Sequence, residues 1–310
     1  MKFAFVFPGQ GSQSLGMMAA YGDSLVIRGT FDEASAALGR DLWQLVTDGP
    51  AEALSQTVNT QPLMLTAGIA VWRLWQEKGG LQPAMVAGHS LGEYAALVAA
   101  GVLELKVAVP LVELRAKAMQ DAVPAGVGAM AAILSLDAEK VKAICAEQAQ
   151  GEAVQAVNFN SPEQTVIAGH KAAVERAAEA CKAGGAKRAV MLPVSAPFHS
   201  SLMQPAAARL ETALAGLDFK APVIPVVNNV DVAVVAEPAD IKAALVRQAA
   251  APVRWVETMR AMQAAGITHV FECGPGKVLA GLTKRCADGL AGGAMNDLAN
   301  VDATLALVKG

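Results

Sequence analysis

Five residues, Gly88-His89-Ser90-Leu91-Gly92, constrain this chain more than any other stretch. They stand between an apolar run, Ala84 to Ala87, and an Ala/Leu-rich run from Tyr94 to Ala100. An apolar strand, a turn with glycine on both flanks and then a helix make a nucleophile elbow, because the turn is too tight for flanking side chains. Ser90 is thereby raised at the carboxyl end of a buried strand, as a nucleophile would be. The first N–H groups of the helix that follows have no partner of their own, so Leu91 N–H is a ready oxyanion donor.

Composition narrows the classes. At 310 residues the chain is long enough for a large α/β domain and a smaller one. Hydrophobic residues make up 54% and mean hydropathy is +0.37, but alanine supplies much of this. No run approaches the roughly 20 apolar residues of a spanning helix, so no membrane insertion is expected. Met1 to Phe7 stops at Pro8, too short for a secretory signal core, and a cytoplasmic location is expected. A net charge of −3 with interspersed signs gives no footprint for nucleic acid. The four cysteines, Cys145, Cys181, Cys273 and Cys286, have no Cys-x-x-Cys or metal-ligand spacing and read as free thiols, with no metal site.

Taken in order, Lys2 to Phe7 reads as a strand running into Pro8-Gly9-Gln10-Gly11-Ser12-Gln13. The glycine spacing fits neither a dinucleotide fingerprint nor a P-loop. Its other use is to bring a backbone N–H beside the elbow, since loops at the carboxyl ends of parallel strands converge, and Gln10 is the candidate second oxyanion donor. Residues 31–78 read as helical, broken at Asp48-Gly49-Pro50 and again at Gln61-Pro62. Gln61 then opens a helix to Trp75, either facing the site or merely starting the helix. A further helix runs from beyond Gly101 towards Gln120, with Pro110 in its first turn. On it Leu111, Val112, Leu114, Ala118 and Met119 form an apolar face opposite Glu113, Lys117 and Gln120, and Arg115 falls in the middle of that face. A guanidinium there needs an anion from the protein, an anion from a substrate, or a route to solvent.

After a linker at 124–128 the rhythm changes to strand (129–134), helix (137–148), strand (153–159), strand (165–169), helix (171–183) and strand (188–194). This βαββαβ order is the ferredoxin-like unit. Asn158-Phe159-Asn160-Ser161-Pro162 has the composition of its central turn. The expected architecture is α/β: a large α/β-hydrolase-like domain with a parallel sheet and nucleophile elbow (1–124 and 197–310), and an inserted small ferredoxin-like domain (125–196). The chain returns through Ser195 to Ser201.

Elimination among four histidines leaves His199 as the base for Ser90. His89 shares the serine's turn, His170 ends a strand of the small domain, and His269 alternates with Phe271 and Cys273 like a core residue. The group orienting the imidazole stays open among Asn228, Asn229, Asp231, Gln248, the Gly274-Pro275-Gly276-Lys277 segment and a backbone carbonyl. Asp288 to Ala294 reads as loose. An esterase order of Ser90, Asp231 or Asp240, then His269 is the alternative enzyme reading.

The elbow with Glu93, the Pro8–Gln13 loop, Arg115, the Asn158–Pro162 segment, His199 and Gly274-Pro275-Gly276-Lys277 occur in one order. That set closely resembles the malonyl-CoA:acyl carrier protein transacylases of fatty acid synthesis, over nearly the whole length. The resemblance implies Ser90 as nucleophile, His199 as base and Gln248 as its orienter through a backbone carbonyl, with Gln10 and Leu91 N–H as the oxyanion hole. It implies Arg115 as the clamp on the malonyl carboxylate, in a pocket bordered by Phe198, Gln61, Asn158, Asn160, His89 and Met119. It further implies malonyl-CoA and a phosphopantetheinylated acyl carrier protein as substrates, and no cofactor.

Overall fold

In the computed structural model, which describes residues 1–194 and 196–310, the apolar run at the start of the chain becomes the central strand of a parallel sheet. Strand β1 (Phe3–Phe7) is buried along its whole length, as a strand covered on both faces must be. It pairs in parallel with β2 (Met85–Gly88) and, on its other side, with a later strand His269–Glu272. Between these in the chain come four strands of a second sheet: β3 (Gly128–Leu134), β4 (Val154–Ser161), β5 (Gln164–His170) and β6 (Arg188–Met191). The first sheet is then completed by β7 (Val226–Val227), β8 (His269–Glu272) and β9 (Ala291–Ala294), in the order β7-β2-β1-β8-β9. All its pairings are parallel, so the loops after β1, β2, β7 and β8 leave at one edge, where a site forms.

The aromatic centre of this unit is edge-to-face, with Phe5 5.1 Å from Trp75 and 5.8 Å from Trp72. Those tryptophans lie on helix Thr57–Glu77, which runs straight through the expected break at Gln61-Pro62. A proline leaves the carbonyl four residues earlier without its helical donor. Here Arg40 Nη2 donates to Val58 O at 3.2 Å instead, and Gln61 lies inside the helix, not at its start. Likewise Pro110 sits in the second turn of helix Leu105–Asp121, not its first. Nor is 288–294 loose, because it contains β9. A Cβ at Gly292 would stand 2.6 Å from Ala280 O, and one at Gly293 2.7 Å from the Phe271 ring, so the glycines reflect close packing.

The second sheet is antiparallel, ordered β4-β5-β3-β6. Helices Ala138–Gln148 and Lys171–Ala183 cover one face, burying Val141, Ile144, Val174 and Cys181 against Ala131, Ile133 and Ile167. Asn158 to Ser161 are not a turn. They continue β4 through two register shifts, and only Pro162 and Glu163 turn the chain. Bulged strands carry polar residues that mimic turn composition. The bulge also docks the sheet on the larger unit: Val253 N donates to Val157 O at 2.8 Å and Phe159 N to Val253 O at 3.0 Å. The helix-free face, with Met130 and Val166, packs on Phe198. Ser195, in the returning segment, lies outside the described residues. No helix among the described residues is long and apolar enough to cross a membrane.

Candidate active site

The elbow forms as its glycines require. A Cβ on Gly88 would lie 1.8 Å from the Gly92 carbonyl carbon, and one on Gly92 2.1 Å from Phe7 O. Between them Ser90 has φ 53°, a left-handed conformation that costs a non-glycine residue about 1–2 kcal/mol. Gly9 is pressed against the same turn, since a Cβ there would stand 2.6 Å from His89 O. The Pro8–Gln13 loop therefore borders the serine. Among the described residues, neither Gln10 N–H nor Leu91 N–H has an acceptor.

His199, itself at φ 65°, brings Nε2 to 2.6 Å from Ser90 Oγ. Its Nδ1 is 2.8 Å from the backbone carbonyl of Gln248. A carbonyl only accepts, so Nδ1 carries the hydrogen and the Nε2 lone pair faces the serine hydroxyl. Burial, reinforced by the charge of Arg115, pushes the imidazole down to about 3, which keeps it neutral and able to take a proton.

Arg115 is 1% exposed, which rules out a route to solvent. Nη1 donates to Gln61 Oε1 at 2.8 Å, and Nη2 to Gln248 Oε1 at 2.9 Å and to Ser90 Oγ at 3.2 Å. The guanidinium carbon lies 5.4 Å from the centre of the Tyr94 ring. Burial works against its charge, yet a guanidinium keeps its proton. No carboxylate is paired with it among the described residues, and Nε has no partner at all. The cation is held by neutral oxygens, with donor capacity unspent.

Gln248 ties the group together. Its backbone carbonyl orients His199, its Oε1 holds Arg115, and its Nε2 donates to Ser90 O and to Glu93 Oε2, both at 2.9 Å. Glu93 also accepts from Asn229 N at 3.0 Å, and burial raises its carboxyl to about 7. Asn229, considered as an orienter of the imidazole, instead grips the elbow: its Oδ1 accepts from Ser90 N at 2.7 Å and its Nδ2 donates to Gly88 O at 2.6 Å.

These groups open onto a cavity of about 120 Å³. Gln10, Gln61, His89, Leu91, Arg115, Met119, Phe198 and His199 line it from the large unit, and Met130, Asn158, Leu192 and Val194 from the second. Asn158 Oδ1 is buried there with no partner among the described residues. Asn160, expected on the wall, stands behind it, accepting from His89 Nε2 at 2.7 Å, and the His89 ring packs 5.3 Å from that of Trp255. His170 is held by Ala153 N, which donates to its Nδ1 at 2.9 Å. His269 is half-buried, not a core residue, with Nδ1 2.9 Å from Thr268 Oγ1. It pairs with Phe3 at the start of β1, the opposite edge from Ser90, which removes the esterase order through His269. Clefts of about 530 and 720 Å³ elsewhere include none of these catalytic candidates.

Sequence reasoning missed the clamp of Asn229, the aromatic supports Tyr94 and Trp255, and Glu93. The signal for Glu93 was present: it is a lone carboxylate at the head of an apolar helix, the same anomaly that exposed Arg115.

The model of the acyl transferase domain family matches residues 4–294. The malonyl CoA-acyl carrier protein transacylase of Salmonella typhimurium is 56% identical over 305 residues, covering 98% of this chain and 99% of that protein. That of Bacillus subtilis strain 168 is 46% identical over 310 residues, covering 99% and 98%. Among solved structures, an acyl-carrier-protein S-malonyltransferase from Burkholderia pseudomallei superposes with a TM-score of 0.97 at 62% identity, covering 99% and 100% of the two chains. A malonyl-transacylase solved with a type II PKS acyl-carrier protein superposes at 0.98 with 54% identity and the same coverage.

Proposed function

The chain belongs to the acyl transferase domain family, among its malonyl CoA-acyl carrier protein transacylases, and from that premise we propose how its residues move a malonyl group from coenzyme A to a carrier protein in fatty acid synthesis. The observation that carries the reading is the 2.6 Å contact of Ser90 Oγ with a neutral His199, 3.2 Å from a buried guanidinium that has no anion.

Ser90 gives its hydroxyl proton to His199 Nε2 as Oγ bonds to the thioester carbon. Negative charge builds on the carbonyl oxygen, towards which the unpaired Gln10 and Leu91 N–H groups would donate; each such donor is worth about 10²–10³-fold. The carbon–sulfur bond breaks, the coenzyme A sulfur takes the proton from His199, and a malonyl-serine ester remains. The phosphopantetheine thiol of the carrier protein then gives its proton to His199, attacks the ester, and Ser90 Oγ recovers the proton. No cofactor enters this cycle. Meanwhile Arg115 Nε–H and its one spare Nη hydrogen, on Nη1, would take the malonyl carboxylate, and Asn158 Oδ1 would face the thioester side of the pocket. Gln61, Met119 and Phe198 shape the far wall, His89 lines the pocket beside the serine, and Asn160 acts from behind it by holding His89.

Three further readings go with this one. The strand order of the second sheet, with two helices on one face, favours a ferredoxin-like insertion at 125–196 within a catalytic unit of 1–124 and 197–310. The elbow after β2 in a parallel sheet favours a hydrolase-like ancestry for that unit. A cytoplasmic site of action fits its substrates. The test is intact mass after mixing with malonyl-CoA. The wild-type chain gains one malonyl group and loses it on adding holo carrier protein, while Ser90→Ala gains nothing; no mass gain in the wild type overturns the reading.

A further inference from the structure

The elbow carries more hydrogen bonds from side chains than a turn of its size needs, and they converge on the strained residue. Both backbone polar groups of Ser90 are taken by side chains from other elements: its N–H by Asn229 Oδ1 at 2.7 Å, its carbonyl by Gln248 Nε2 at 2.9 Å. Asn229 is 0% exposed and holds three points at once, Ser90 N–H, Gly88 O and, through its own N–H, Glu93 Oε2. It follows β7, the strand next to β2, so it reaches the elbow across the sheet edge and not along the chain.

We propose that Asn229 is the positioning residue of the nucleophile: its amide splints the left-handed Ser90 so that Oγ stays within reach of His199, and the Ser90 N–H that it occupies is withheld from the oxyanion hole. The chemistry of the side chain fits this. One atom must accept from an N–H while its neighbour donates to a carbonyl, and only an amide does both at this length. An aspartate would keep the first bond but set an oxygen against Gly88 O, now 2.6 Å from Nδ2. Without the splint the Ser90 N–H loses its partner, and only the Gln248 bond to the Ser90 carbonyl still ties its backbone from another element, so φ 53° can relax towards the usual basins and swing Oγ away from the imidazole. The inference rests on the transferase reading, but concerns a residue that touches neither substrate nor reacting atoms.

The experiment compares Asn229→Ala and Asn229→Asp with the wild type assayed in parallel, so that a silent wild type speaks against the transferase reading and an altered variant speaks to Asn229. Malonyl transfer, transfer from acetyl-CoA, acylation of Ser90 by a small fluorophosphonate and thermal melting are measured. For both variants kcat and the fluorophosphonate rate should fall together by roughly 10²-fold, the cost of an ångström-scale misplacement. KM for malonyl-CoA and the malonyl-to-acetyl ratio should stay within about twofold, because Arg115 and the pocket walls are untouched. Folded variants with kcat near wild type overturn the proposal. So does a loss in which KM and selectivity move with kcat, which marks collapse of the pocket, and so does failure of both variants to fold.

Discussion

Two strand-to-helix turns flank β1, and they solve the same geometric problem in opposite ways. After β2, Gly88 to Glu93 lead into helix Gly92–Ala99; after β8, Glu272 to Lys277 lead into helix Val278–Cys286. Each needs positive φ, and each buries a glutamate whose carboxyl burial raises to about 7. The β8 turn puts its positive φ on glycine, at Gly274 and Gly276, where it costs little. The β2 turn puts it on Ser90. Glu272 turns inward to accept Ala280 N–H at the head of its own helix, whereas Glu93 is linked through Gln248 to the Arg115 cation. Strain and side-chain splints gather at Ser90, the proposed nucleophile, and the β8 turn does without them.

The sharpest break in this comparison is the loss of the proposed base. His199→Ala should lower malonyl transfer by roughly 10²–10⁴-fold with the fold intact, read as kcat beside a thermal melt. A change of less than about threefold would put the proton transfer elsewhere and make the two turns equivalents. Next in size is Arg115→Ala, which removes the partner of a desolvated carboxylate and should cost malonyl transfer about 2 to 5 kcal/mol in kcat/KM while leaving or raising acetyl transfer. Equal losses on both thioesters would make Arg115 a support of the elbow through Ser90 Oγ and Gln248, not a selector.

What could be read in advance divides along the same line. The elbow, β1 and the arginine helix were legible because a short-range rule governs each: glycine flanks, an apolar run, a charge on an apolar face. His199 came from elimination, and the bond from its Nδ1 to Gln248 O needs only a backbone atom, which no residue type announces. Asn158 and Asn160 were misread because turn composition and a bulged strand look alike until the partner strand is known. Pro62 misled because a distant arginine supplies the missing donor to Val58. Asn229 and Glu93 act across the sheet, and no spacing along the chain encodes which strand lies beside β2.

The smallest effect tests the quieter turn. Glu272 is 0% exposed, and among the described residues Oε1 has no partner and no nearby cation offsets its burial. Its folded value of about 7 lies above the usual 4.3 or so of the unfolded chain. Below that lower value both states hold the proton and nothing is lost. As pH rises from about 4.3 to 7 the unfolded chain releases the proton while the folded one keeps it, so stability declines, by about 4 kcal/mol once the folded carboxyl also ionises. Glu272→Gln cannot ionise, and should flatten the fall in melting temperature between pH 5 and 8 while leaving malonyl kcat within about twofold. A variant with the wild-type slope would mean that Glu272 ionises as freely as it does in the unfolded chain. A fall in kcat comparable to that of the arginine variant would mean that the β8 turn, like its neighbour, reaches Ser90.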